Sequence, residues 1–152
     1  MWYLVLKLVH VLAAIAAVGA NITYAVWIRQ GSHDPPTLSF ALKGIKLIDD
    51  RMANPAYGLL LVTGIGMALV GQIPVTTPWL LSALVLYVAA VLLGLLGYTP
   101  LLKKQIKVLE NGRPDSAEYG ALAGRGMVLG IALGVLTLAI VILMVVKPTL
   151  WG

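Results

Sequence analysis

The stretch YLVLKLVHVLAAIAAVGANITY, residues 3–24, decides the fold because it sets polar side chains on one side of a long apolar helix. Alternating steps of four and three residues place these side chains on a single helical face. We call this face the polar stripe, and it consists of Tyr3, Lys7, His10, Ala14, Ala17, Asn21 and Tyr24. Charged and strongly polar groups are costly against lipid at membrane depth, so we expect the polar stripe to point toward protein or a water-filled cavity.

The composition of the chain is that of a membrane protein. Of the 152 residues, 60% are hydrophobic and 11% are charged, which is too apolar for a soluble domain of this size. The apolar runs predict a single integral membrane domain with four spans, at about residues 2–28, 56–73, 78–100 and 121–146. Because successive spans cross in opposite directions, we expect an all-α fold, a transmembrane four-helix bundle with up-down-up-down topology.

The lysines and arginines predict the orientation of the bundle. Eight of the eleven lie in the two long connections, after the first and third spans, and the short connection at residues 71–77 holds none. Cytoplasmic connections are enriched in Lys and Arg, so both termini are expected outside. Trp2, Trp79 and Trp151 then mark the outer interface and Trp27 the inner one. Since the positive charge resides mostly in these connections, no nucleic-acid partner is expected.

Two segments beyond the apolar runs are expected to be helical. Residues 37–54 are amphipathic and predict a cytoplasmic helical segment before the second span. Pro55 is expected to kink this helix or to separate two helices, because proline removes a backbone hydrogen bond. Residues 101–110 continue the third helix, and Ser116 is the expected N-cap of the fourth.

Charged residues near the cytoplasmic ends of the spans are candidates for electrostatic contacts. Asp49 and Asp50 predict a solvated, salt-bridged helix face. Arg125 is expected either to extend toward the lipid headgroups or to pair with Glu118 or one of these aspartates. Arg51 can make the same contacts. Both arginines are therefore candidate sites for an ion pair or for an anionic lipid headgroup.

The fourth span contains a ridge of small residues, Gly126-x-x-x-Gly130-x-x-x-Gly134. Small residues allow membrane helices to approach closely. The ridge therefore predicts either packing inside the bundle or contact with a second copy in a homo-oligomer. Beyond such a copy, the expected partner is the lipid bilayer.

Three longer stretches carry a resemblance to known proteins. They are LKLVHVLAAIAAVGAN at residues 6–21, DDRMANPAYGLLLVTGIGM at residues 49–67 and PWLLSALVLYVAAVLL at residues 78–93. They resemble a family of bacterial four-helix integral membrane proteins that is described only as a domain of unknown function. This resemblance covers most of the chain and implies a location in the bacterial inner membrane.

Shorter segments resemble two further families. The first-span histidine and the segment Asn54-Pro55-Ala56, with Arg51 just before it, are similar to the membrane-bound protoporphyrinogen oxidase, a haem-binding family. The third span, at residues 79–98, departs from that family because it contains no lysine. The first span also resembles the copper-resistance D membrane proteins, although two histidines and no cysteine predict no separate metal site here.

His10 is the strongest candidate for a ligand-binding residue. A neutral imidazole can ligate haem iron or relay a proton, and it can also serve as a hydrogen-bonding link between helices. The candidate cofactor-binding residues are the polar members of the stripe, His10, Lys7, Asn21 and Tyr24. His33 belongs to a cytoplasmic connection, so a haem on His10 needs a non-histidine partner or a second subunit.

Familiar catalytic motifs are absent from the sequence. It contains no nucleotide-binding glycine loop, no HExxH and no nucleophile elbow. Two functions are therefore compatible with it. The first is an integral membrane protein that binds haem or another small cofactor through His10. The second is a non-catalytic structural, lipid-binding or accessory membrane subunit.

Overall fold

The computed structural model describes residues 1–150, and Trp151 lies outside them. The described residues form helices and no strands. The α-helices are α1 (Trp2–Gly31), α2 (Pro35–Ile48), α3 (Asn54–Val70), α4 (Pro78–Leu92), α5 (Thr99–Glu110) and α6 (Ala117–Val146). Two π-helical turns, π1 (Asp49–Ala53) and π2 (Leu93–Tyr98), join α2 to α3 and α4 to α5.

These elements make four long helices that are apolar enough to cross a membrane: Trp2–Gly31, Pro35–Val70, Pro78–Glu110 and Ala117–Val146. The all-α four-helix bundle predicted from the sequence is therefore confirmed, as are the helical segments before the second span and after the third. Two of the helix starts carry side-chain caps. Asp34 accepts a hydrogen bond from the Thr37 N–H at 3.3 Å, and Ser116 accepts one from the Tyr119 N–H at 3.1 Å, as predicted for Ser116.

The expected disturbance at Pro55 takes the form of a widened helical turn. The Asn54 N–H bonds the Asp49 carbonyl, five residues back, and the following Pro55 has no N–H to donate. The third span repeats this arrangement, which the sequence analysis did not predict. There the Thr99 N–H bonds the Gly94 carbonyl immediately before Pro100. The second and third long helices therefore continue through Pro55 and Pro100 by way of a π turn instead of ending there.

The best-packed part of the bundle lies at the end that holds the two long connections. There α2 packs against α1 and α5, and α5 packs against α6. Leu42, Ile45 and Leu102 are fully buried in this core. Toward the other end, α1 packs closely on α3 through small residues, of which Ala13, Ala17 and Ala56 are buried. No residue of α6 is buried, which matches a helix that turns most of its apolar surface toward lipid.

Candidate functional site

The N-terminal half of the polar stripe is anchored by one hydrogen bond between helices. Nδ1 of His10 on α1 lies 2.8 Å from Oγ1 of Thr63 on α3, and Thr63 is buried. Gly64 allows this approach, because a Cβ there would lie 3.4 Å from Cε1 of His10. The polar stripe therefore faces α3 at this level, as expected.

The partners of Thr63 assign the His10 tautomer. The Thr63 hydroxyl has one proton, and its oxygen lies 2.5 Å from the Leu59 carbonyl of its own helix, to which it donates. The hydroxyl oxygen is then the acceptor in the contact with His10, so Nδ1 carries the proton. In the neutral ring this leaves Nε2 with its lone pair available for a ligand or a proton.

Lys7 does not follow the rest of the polar stripe, because its side chain is exposed. The expectation that it points inward is wrong in this structure. A strict 4-3 spacing drifts by about 20° per heptad around a straight α-helix. Leu6 contacts α3 at this level, where it lies against Gly66, and the long side chain of Lys7 at the edge of the stripe can extend its ammonium group toward water.

The middle of the polar stripe makes further contacts between helices. Asn21 donates a hydrogen bond to the Tyr57 hydroxyl, and the Tyr87 hydroxyl donates to the Tyr57 carbonyl at 2.8 Å. Tyr57 thus receives contacts from α1 and from α4. Asn21 therefore acts as a hydrogen-bonding link between α1 and α3, and its role in cofactor binding stays a prediction.

Tyr24, at the C-terminal end of the polar stripe, is buried and contacts Asp49 of π1. Its hydroxyl lies 3.5 Å from Asp49 Oδ1. Asn54 Nδ2 and Thr99 Oγ1 each lie 3.4 Å from Asp49 Oδ2. We call these four residues the Asp49 site. It joins the first three long helices, since Asp49 and Asn54 flank π1 and Thr99 follows π2.

The prediction that Asp49 and Asp50 lie on a solvated, salt-bridged face is confirmed for Asp50 and wrong for Asp49. Asp50 is exposed and pairs with Lys46, as expected. Asp49 is only 7% exposed. The sequence contains a signal that identifies it, since Leu38, Leu42, Ile45 and Asp49 recur at steps of four, three and four on one helical face. Asp49 therefore continues the buried face of α2 into the bundle.

Thr63, Tyr57 and Thr99 were also missed by the sequence analysis. A threonine or tyrosine in an apolar span carries no distinguishing pattern, and nothing in the sequence specifies which side chain faces it across the bundle. The structure separates the sequence-predicted candidates into two groups. His10 lies about 17 Å along the axis of α1 from Asn21, eleven residues later. A single small ligand therefore does not contact His10 and Tyr24 together.

The two arginines each line an apolar groove. Arg51 borders a groove of about 330 Å³ between α1 and α3, whose other walls include Leu12, Ala16 and Leu59. Arg125 borders one of about 480 Å³ between α5 and α6. Neither arginine forms an ion pair within residues 1–150. The acidic residues that were expected to pair with these arginines contact other side chains instead.

Those acids have other contacts. Glu118 pairs with Arg113 at 2.9 Å, Asp50 pairs with Lys46, and Asp49 contacts only uncharged donors. The expectation that Arg125 pairs with one of them is therefore not met. The headgroup interpretation of both arginines stays a prediction.

The glycine ridge of α6 faces two environments. Gly126 packs inside the bundle, where an added Cβ would lie 2.8 Å from Gln105 Nε2. Gly130 and Gly134 are exposed, and an added Cβ there would meet nothing within 4 Å. The ridge thus serves internal packing at Gly126, and the homo-oligomer contact stays a prediction for its other two members.

Comparison with known proteins places the chain in a family. Residues 4–148 match the family described as "Predicted integral membrane protein (DUF2269)". No curated protein and no solved structure matches the chain. The similarities to the protoporphyrinogen oxidase and to the copper-resistance D proteins therefore stay expectations from short motifs.

Proposed function

The chain belongs to the DUF2269 family of predicted integral membrane proteins, and from this premise we propose that it is a non-catalytic membrane subunit that binds an anionic lipid. The lipid occupies the groove between α1 and α3, with its phosphate at Arg51 and an acyl chain along the apolar walls. The observation that carries this proposal is the charged residue bordering an otherwise apolar groove.

The chemistry of the groove matches the two parts of a phospholipid. Its walls are mostly apolar and contact an acyl chain without leaving polar groups unpaired. Arg51 is exposed and makes no ion pair within the described residues, so its guanidinium is available to a phosphate. Each Lys or Arg near the membrane surface contributes about 1 kcal/mol to binding anionic lipid.

Lipid binding is tested by titrating the purified protein with phosphatidylglycerol and with phosphatidylcholine and counting bound lipids by native mass spectrometry. Arg51→Gln is expected to weaken phosphatidylglycerol binding about fivefold, which corresponds to about 1 kcal/mol. Arg29→Gln is the matched control, because Arg29 is an exposed arginine in the last turn of α1 and does not line the groove. Equal weakening in both variants, or equal affinity of the wild-type protein for both lipids, contradicts the proposal.

Haem or another small cofactor at His10 is the second candidate function. The observation that favours it is the tautomer fixed by Thr63, since metal-ligating histidines commonly donate their other ring N–H to a neighbouring acceptor. Haem bound there would supply redox or ligand-binding chemistry, and His10 would hold it through Nε2. Lys7 is one turn away and exposed, and in this proposal its long side chain would reach an anionic group of the cofactor.

Cofactor binding is tested by the visible absorption spectrum of protein purified after haem supplementation. A Soret band in the wild-type protein that is lost in His10→Ala supports the proposal, with Lys46→Ala as a control substitution far from His10 in the chain. A wild-type protein with no Soret band, or a band that persists in His10→Ala, contradicts it.

We also propose a location and an orientation for the protein in the membrane. The excess of Lys and Arg in the two long connections supports a bundle in the bacterial inner membrane with both connections in the cytoplasm and both termini outside. The structure is compatible with this arrangement, because those connections lie at one end of the bundle.

A further inference from the structure

We propose that the carboxyl group of Asp49 is a reversible proton-binding site inside the bundle. This site is independent of the lipid groove and of His10. Its ligand is the proton, which converts the carboxylate into the neutral acid and leaves again as hydronium. The argument rests on the charges, the distances and the donor types that surround Asp49.

The first argument is the lack of a compensating charge. Asp49 is buried, and its hydrogen-bonding partners, Tyr24, Asn54 and Thr99, are all uncharged. The charged side chains that act on Asp49 are Lys46 and Asp50, and their opposite charges pair with each other. A buried carboxylate without a cationic partner is strongly disfavoured, and protonation removes the charge.

The second argument is the length of the contacts. Hydrogen bonds to an ionised carboxylate are short, at about 2.7–2.9 Å from nitrogen and about 2.5–2.7 Å from oxygen. The three contacts of Asp49 measure 3.4–3.5 Å. They are longer than charge-assisted hydrogen bonds, so none of them stabilises an ionised carboxylate at Asp49 as strongly as such a bond does.

The third argument is that two of the partners accommodate either protonation state. The hydroxyl groups of Tyr24 and Thr99 donate to a carboxylate, and each rotates to accept from an acid O–H. A proton on Oδ1 is then donated to Tyr24, and a proton on Oδ2 to Thr99. A lysine or arginine in either place would hold the carboxylate ionised. The other titratable side chains that face the site are Tyr57 and Tyr98.

The position of the site indicates what the proton affects. Asp49 opens π1 and Thr99 follows π2, so their contact links the second and third long helices at their π turns. π turns within α-helices frequently mark functional sites. Gain or loss of the proton at Asp49 therefore changes the contact between these two helices.

The proposal is tested by infrared difference spectroscopy of the protein in nanodiscs, with pH varied over the range in which it stays folded. The wild-type protein is expected to show the C=O stretching band of a protonated carboxylic acid, which disappears and returns as pH is raised and lowered. Asp49→Asn is expected to abolish this band. Asp50→Asn, at the neighbouring exposed aspartate, is expected to retain it.

A second pair of variants covers the case in which Asp49→Asn does not fold. Tyr24→Phe and Thr99→Val leave the carboxyl group in place and remove one hydroxyl each, so both are expected to shift the frequency of the band. A band that is unchanged in both variants overturns the proposal. So does a carboxylate that stays ionised at every pH and responds to Na⁺, because this result indicates a metal-cation site.

Discussion

His10 and Thr63 lie 53 positions apart in the chain and 2.8 Å apart in the structure, between Nδ1 and Oγ1. This contact joins α1 to α3 in the half of the bundle where small residues make most of the packing. Because Thr63 donates to its own helix, the same contact sets the protonation pattern of the imidazole. The contact therefore both holds α1 against α3 and fixes the tautomer of His10. Substitution of Thr63 tests the first of these effects.

Thr63→Val is expected to destabilise the bundle by about 1 kcal/mol, because interhelical hydrogen bonds in membranes contribute roughly 0.6–1.7 kcal/mol. The measurement is the free energy of unfolding in detergent micelles. Thr23→Val is the control, since the Thr23 hydroxyl donates only to the Ala20 carbonyl within α1. Equal destabilisation by both substitutions would show that the link to His10 contributes nothing.

The contact between Asn21 and Tyr57 is expected to show an energetic coupling of about 0.6 kcal/mol in a double-mutant cycle. The cycle compares Asn21→Ala, Tyr57→Phe and the double variant by their unfolding free energies. Tyr57→Phe keeps the ring and removes only the hydroxyl that accepts from Asn21. The control cycle pairs Asn21→Ala with Gln105→Ala, which lies on α5, and is expected to be additive. Additivity in both cycles contradicts the prediction.

The sequence predicts the bundle because bilayer energetics act on whole segments. A run of about 20 apolar residues has few alternatives to a spanning helix, so the four spans follow from hydropathy, and the helical segments beyond them follow from periodic spacing. The polar stripe likewise identifies which face of α1 meets protein at His10, Asn21 and Tyr24. These inferences depend only on spacing within one helix.

The contacts across the bundle depend on how the helices are rotated and displaced relative to one another, which residue spacing within one helix does not specify. Whether His10 meets Thr63 depends on the rotation of α3 and on its displacement along its axis. Asp49 illustrates a different difficulty, because composition favours a solvated aspartate whereas the phase of the α2 pattern favours a buried one. The π turn before Pro100 was missed because the apolar run continues through it.

Gly126→Ala and Gly130→Ala are expected to differ in stability by about 1 kcal/mol, the net contribution of one hydrogen bond. An added Cβ at Gly126 displaces Gln105 Nε2, which donates to the Leu122 carbonyl at 2.8 Å. An added Cβ at Gly130 meets no atom within 4 Å. Both variants gain the same helix propensity, so the difference between their unfolding free energies reports the contact of Gly126 with Gln105.

The measurement is the unfolding free energy of each glycine variant, together with its oligomeric state by light scattering. If the predicted homo-oligomer forms through the exposed part of the ridge, Gly130→Ala weakens assembly and Gly126→Ala does not. Identical stability of the two variants would contradict the packing of Gly126 against Gln105.

The predicted orientation is tested by single cysteines, because the natural chain contains none and every labelled thiol is an introduced one. Ser32 and Thr76 are exposed in the connections after α1 and after α3. In intact cells, a membrane-impermeant maleimide is expected to label Thr76→Cys directly and Ser32→Cys only after the membrane is permeabilised. Asn111→Cys, in the other long connection, is expected to behave like Ser32→Cys. Labelling of Ser32→Cys in intact cells would contradict the predicted orientation. It would indicate that the bundle is inserted the other way round, with Arg51 and the Asp49 site near the outer surface.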